Sequence, residues 1–187
     1  MDPFLESGMM FGPYPDGTCF RLETCSVYRK IRDGVPIAEF LLLRERHGSS
    51  VVWVVEAKSS SPRPESPERF DDFIDDIRRK LLNGLSLGIA SILGRHELEP
   101  DELPASLAGL NLSSTEFRLV LAILGHPADW LPPLQDALRA ALKETTRTWA
   151  IPPGSVVVMN HDYARWYRLI AGVAAELASD SPTASGS

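Results

Sequence analysis

In Val55-Glu56-Ala57-Lys58 a carboxylate and an amine stand two residues apart. On a β-strand that spacing sends both side chains out of one face while Ala57 leaves the other, so the two groups can meet one ligand. Such a triplet is common, and its ordinary reading is a solvated or cross-strand ion pair. Its place in the chain adds weight: the charges end a wholly apolar run, Val51 to Val55, just before a Ser/Pro loop, and charges closing a buried strand call for a reason. Emergence of the strand into water is the plain one. A second acid, Glu39, opens the preceding apolar run. Counted outward from the turn His47-Gly48-Ser49-Ser50, Glu39 lies eight residues before His47 and Lys58 eight after Ser50, so an antiparallel pairing brings Glu39, Glu56 and Lys58 together.

The elements that must position these residues read as follows. Thr18 to Lys30 alternates in the manner of a strand. Asp33-Gly34 signals a turn, Ala38 to Arg44 a second strand, and Val51 to Lys58 a third, apolar on both faces as a central strand is. Cys19 and Cys25, six residues apart on the first strand, are then about 20 Å apart, too far for a disulfide. Ser66-Pro67-Glu68 has the form of a helix start, with a cap, a proline at the first helical position and an acid at the positive dipole end. The stripe Phe70, Phe73, Ile74, Ile77, Leu81, Leu85, Ile89 and Leu93 carries that helix to a stop at Gly94. Glu99 to Ser113 reads as a connection. Phe117 to Leu124 is a further strand, Leu134 to Thr145 an amphipathic helix entered through Pro132-Pro133, Ser155 to Met159 the last strand, and Asp162 to Leu177 a final helix. The fold class expected is α/β, a mixed sheet flanked by helices in one domain over 1–177, with 178–187 a disordered tail.

An acid that begins one strand and an acid-x-Lys that ends the next resemble the restriction-endonuclease-like, or PD-(D/E)XK, nuclease superfamily, on Glu39, Glu56 and Lys58. The order of elements to about Leu124 is similar to that family's αβββαβ core, the later elements forming a C-terminal αβα extension. The resemblance implies a phosphodiesterase in which Glu39, Glu56 and the Ala57 carbonyl hold Mg²⁺ or Mn²⁺ and Lys58 orients or activates the attacking water. It also implies an acid on an N-terminal helix, for which Glu6 is the candidate, with Glu23 as a second. Ala38-Glu39 departs from the family's Pro-Asp. The following helix carries Asp71, Asp72, Asp75 and Asp76 and then Arg78, Arg79 and Lys80, which reads as a solvated face with helical ion pairs.

A length of 187 residues, 44% of them hydrophobic, suits a single well-filled core. The longest apolar runs fall short of the roughly 20 residues that a spanning helix needs, and the N-terminus lacks the form of a secretory signal, so a cytoplasmic protein without a membrane segment is expected. No strand runs into a glycine-rich phosphate loop, which removes dinucleotide and P-loop readings. The net charge of −6 argues against autonomous capture of a polyanion. A nuclease of this kind is therefore expected to act on DNA or RNA as a subunit with protein partners, or as a homo-oligomer. The competing readings are a non-catalytic interaction module on the same fold and a structural Glu56–Lys58 salt bridge. His161-Asp162 reads as a helix cap, Ser59 to Ser61 as loop, and Trp53, Trp130, Trp149 and Trp166 as core.

Overall fold

Short runs of β-branched and aromatic residues at the N-terminus form strands β1 (Phe4–Glu6), β2 (Met9–Phe11) and β3 (Cys19–Arg21) in the computed structural model, which describes residues 1–46, 48–63 and 65–173. They are followed by α1 (Ser26–Ile31), β4 (Phe40–Arg46), β5 (Ser49–Lys58), α2 (Pro67–Ile92), α3 (Ala105–Ala108), β6 (Glu116–Ile123), α4 (Leu131–Ala141), α5 (Lys143–Thr148), β7 (Val156–Asn160), α6 (His161–Trp166) and β8 (Ile170–Val173). The main sheet runs β3-β4-β5-β6-β7. Its first three strands are antiparallel, and β5, β6 and β7 are parallel, joined by crossovers that contain α2 and α4. The protein is thus α/β, with a mixed five-stranded sheet flanked by helices. No described helix is long and apolar enough to cross a membrane.

Each face of the sheet has its own core. On one, Leu41, Val52, Val54 and Leu121 pack against Ile77, Leu81 and Leu85 of α2 and Leu134 and Leu138 of α4. On the other, Phe40, Leu42, Trp53 and Val55 meet Met9 and Phe11 of β2 and Ile170 of β8, because β1, β2 and β8 form a small antiparallel sheet laid over that face. Double coverage is why β5 is apolar on both sides.

Four expectations are corrected here. No helix precedes the first strand of the main sheet: a β-hairpin stands there, and Glu6 ends its first strand. The strand expected over Thr18 to Lys30 stops at Arg21 and yields to a turn and α1, whose first turn is capped by the Cys25 thiol accepting from Tyr28 N–H. The extended-strand spacing of Cys19 and Cys25 therefore does not hold, although both are buried free thiols. At the C-terminal end α6 is only six residues long, with Asn160 rather than Asp162 as its cap, and the chain returns as β8 instead of continuing in a helix. Positions 174–177 of that expected helix and the tail 178–187 lie outside the described residues. Trp149 and Trp166 are exposed, and only Trp53 of the four tryptophans is buried.

The helix that covers the site, α2, keeps Pro67 in its first turn, but Ser66 supplies no side-chain cap; its carbonyl accepts from Phe70. It ends in a Schellman arrangement, with Gly94 N–H on Ser91 O and Arg95 N–H on Ala90 O, and Gly94 at φ +66°. Gly84 lets the helix lie close on the sheet: a Cβ there would come within 2.8 Å of Ala38 Cβ and 3.0 Å of a Val54 methyl.

Candidate carboxylate and lysine site

Glu39 stands one residue before β4 and is held by the backbone on both sides. Its N–H donates to Val55 O (2.9 Å) and its carbonyl accepts from Leu22 N–H (3.0 Å). The β4–β5 register ends with Phe40 opposite Val55, and the Glu39 N–H reaches that same Val55 carbonyl, so Glu39 lies just past the end of the ladder, near Glu56, which follows Val55. Counting outward from the turn sets Glu39 against Lys58; the observed register differs by two residues, which leaves the faces of the paired residues unchanged. The chain leading to Glu39 is pinned to α2 by Ala38 N–H on Lys80 O (3.1 Å) and the Asn83 amide on Pro36 O (2.7 Å).

Glu6 arrives by a different device from the expected helix. Ser7 and Gly8, at φ +48° and +80°, form the two-residue turn between β1 and β2, where Glu6 pairs with Met9. Positive φ at both central residues is what a tight hairpin asks for, and Gly8 meets it without cost. The Ser7 hydroxyl donates to Ala57 O at 3.1 Å, fastening the turn to β5. The Ala57 carbonyl, expected to face an ion, thus already accepts one hydrogen bond. Carboxylate oxygens of Glu6, Glu23 and Glu39 lie within 4.8 Å of one another. Glu23 comes from the turn after β3.

Opposite this acidic group sits a lysine pair. Glu56 is fully buried, and its Oε1 receives both Lys80 Nζ (2.9 Å) and Lys58 Nζ (3.2 Å). Lys58 also reaches Asp76 Oδ2 at 3.2 Å. Glu39 is 4% exposed. Oε2 of Glu39 and Oε2 of Glu56 are both buried without a hydrogen-bond partner, and an unsatisfied buried carboxylate oxygen is a group waiting for a proton, a water or a cation. Of the run from Asp71 to Lys80, the Asp75–Arg78 pair is the solvated helical ion pair expected. Asp76 and Lys80 instead turn to the sheet. The signal that marks them is their four-residue spacing on α2 beside Ile77 and Leu81 of the buried stripe.

The electrostatics follow from burial and crowding. Glu39 is pushed up to about 9, first by burial and then by the charges of Glu56, Glu23 and Glu6. Burial also raises Glu56, with Lys80 and then Lys58 pulling it back. Lys80 loses from burial, but Glu56, Glu39 and Glu23 outweigh that loss and shift it upward. The Glu56 and Lys80 shifts favour opposite states of one pair. With two ammonium groups on a single oxygen, the ionised pair is the state the contacts stabilise.

A separate polar cluster occupies the loops at the carboxyl ends of β5, β6 and β7. Ser61 Oγ lies 3.1 Å from His126 Nδ1, the His126 carbonyl accepts from the Asn160 amide (3.0 Å), and buried His126 leaves Nε2 without a partner. Ser61, which the sequence presents without a nearby base, acquires this imidazole from 65 residues further along the chain. No protein-family model, curated protein or solved structure matches this chain.

Proposed function

We propose that the chain is a divalent-cation-dependent phosphodiesterase acting on DNA or RNA, a divergent relative of the restriction-endonuclease-like nucleases that Glu39, Glu56 and Lys58 resemble. The observation that carries this reading is the pair of buried, partnerless carboxylate oxygens, Glu39 Oε2 and Glu56 Oε2, on residues whose charges act on each other at one end of the β4–β5 ladder beside a lysine. The donor set is all oxygen, which suits Mg²⁺ or Mn²⁺. Bound between Glu39 and Glu56, the ion would polarise a phosphoryl oxygen and lower the pKa of a coordinated water. Lys58, a quarter exposed, places its ammonium at the rim of the site, where it orients the attacking water and stabilises charge on the phosphoryl oxygens. Lys80 keeps Glu56 ionised and fixes which of its oxygens stays free. Asp76 draws on Lys58 and must yield it to substrate. With a net charge of −6, nucleic-acid capture falls to protein partners or to further copies of the chain.

The reading is tested by Mg²⁺- and Mn²⁺-dependent cleavage of single- and double-stranded DNA and RNA, with Lys58→Ala purified in parallel. The expected outcome is wild-type cleavage reduced by about 10²-fold or more in the variant. A wild type that neither cleaves nor binds either ion by calorimetry overturns it. That result would favour a non-catalytic interaction module, a reading supported by the exposed Tyr163, Trp166 and Tyr167, of which Trp166 is 74% exposed.

A further inference from the structure

Three carboxylates from three separate stretches of chain meet beside the proposed catalytic pair, and the direct contacts of Lys58 and Lys80 go to Glu56 and Asp76 rather than to them. Glu6 ends β1, Glu23 follows β3, Glu39 precedes β4, and an oxygen from each lies within 4.8 Å of the other two. Oxygens that share one small divalent ion stand about 3–4 Å apart, so only a slight contraction separates this arrangement from a coordination shell. Among the described residues no ion pair reaches Glu6, Glu23 or Glu39; Lys58 and Lys80 both bind Glu56. Arg21, two residues before Glu23, lies over the Phe4 ring instead, 3.8 Å from its centroid.

Clustering of acids alone would carry little, since exposed acidic groups repel one another and remain solvated. The second observation concerns Glu39, which is 96% buried by its 4% exposure and keeps Oε2 without any partner. Among the described residues this carboxyl has no ion-pair partner, and an open oxygen on a buried carboxyl is met either by a proton or by a cation. The hairpin supplies pre-organisation: Ser7 N–H donates to Glu6 Oε1 (3.0 Å), and Ser7 Oγ to Ala57 O, so Glu6 is oriented before any ion arrives.

We infer that Glu6, Glu23 and Glu39 form a divalent-cation site of their own, next to the Glu39–Glu56 position and sharing Glu39 with it. The inference extends the proposed hydrolase reading, but it stands on different ligands. A hard ion of the Mg²⁺ or Mn²⁺ class fits three carboxylates with waters completing the shell.

The experiment is Mn²⁺ binding to the full chain, followed by isothermal titration and by loss of the free-ion electron-paramagnetic-resonance signal, for the wild type, Glu23→Gln and Glu56→Gln. Circular dichroism and urea midpoints accompany each titration, and Glu6→Gln replaces Glu23→Gln if the latter does not fold. The expected result is two ions in the wild type and one in each variant. A single wild-type ion, lost in Glu56→Gln and unaffected in Glu23→Gln, overturns the inference and leaves the hydrolase reading standing. A single ion weakened at least tenfold by Glu23→Gln and untouched by Glu56→Gln keeps the three-carboxylate site and removes the Glu56 position. No ion in the wild type overturns both.

Discussion

Glu39 carries opposite requirements within one side chain. Burial and three neighbouring carboxylates raise it to about 9, so without a cation it folds as the neutral acid. In the unfolded chain it returns to the ordinary value of 4.5 and has lost its proton at neutral pH. The native state then binds more protons than the unfolded one, and metal-free stability must fall as pH rises between about 4.5 and about 9. Urea midpoints from pH 5 to 9 in chelator should decline in the wild type and flatten in Glu39→Gln; an unchanged slope in that variant would assign the effect elsewhere. Lys80 has the complementary role, an ammonium drawn under the helix by Glu56, and it is the lysine that composition alone places on the solvated face.

At the scale of elements, the site depends on two packing devices. The first is the β1–β2 turn, whose Ser7 hydroxyl fastens Glu6 to the end of β5. The second is the approach of α2 to the sheet. Gly84 costs helix propensity of about 1 kcal/mol relative to alanine, yet a Cβ would strike Ala38, one residue before Glu39, at 2.8 Å. Ala38 has no rotamer with which to move aside, so either the helix or the strand must shift. Gly84→Ala is expected to destabilise by about 1–2 kcal/mol net, the overpacking cost exceeding the gain in propensity. Urea denaturation checks this, and a stabilised variant would show that helix and sheet adjust freely. The same displacement would carry Lys80 away from Glu56, so divalent-ion affinity should weaken alongside.

For the whole molecule, the decisive quantity is charge concentrated at one end of the sheet within a chain of net charge −6. An ion that binds only the native state stabilises it by about 2.7 kcal/mol at a hundredfold excess over Kd, which for a domain of this size is a Tm rise of about 5–10 °C. Calorimetric scans should show that rise with Mn²⁺ and not with an equal ionic strength of NaCl; a Tm indifferent to Mn²⁺ would mean that the acids hold no ion. How much of this was readable from the residues alone follows from the range of the forces involved. Local patterning is enough to define β4, β5, α2, β6 and α4, because apolar periodicity, turn residues and caps act within a few positions. It also picks out Glu39, Glu56 and Lys58, because charges at the ends of apolar runs are conspicuous. It fails for the first and last elements. The three-residue strands β1 and β2 and the strand β8 exist by pairing with one another over the second face of the main sheet, and no segment that short declares its partner. Lys80 and Asp76 looked like any other charges on an amphipathic helix, since the rotation and depth of α2 are set by Gly84 against Ala38. Composition, fold class and the acid-x-Lys core are therefore properties of the sequence itself. The gathering of Glu6, Glu23 and Lys80 around that core was decided by tertiary packing, because only long-range contact can bury Glu39 and bring carboxylates from separate stretches of chain close enough to raise its pKa.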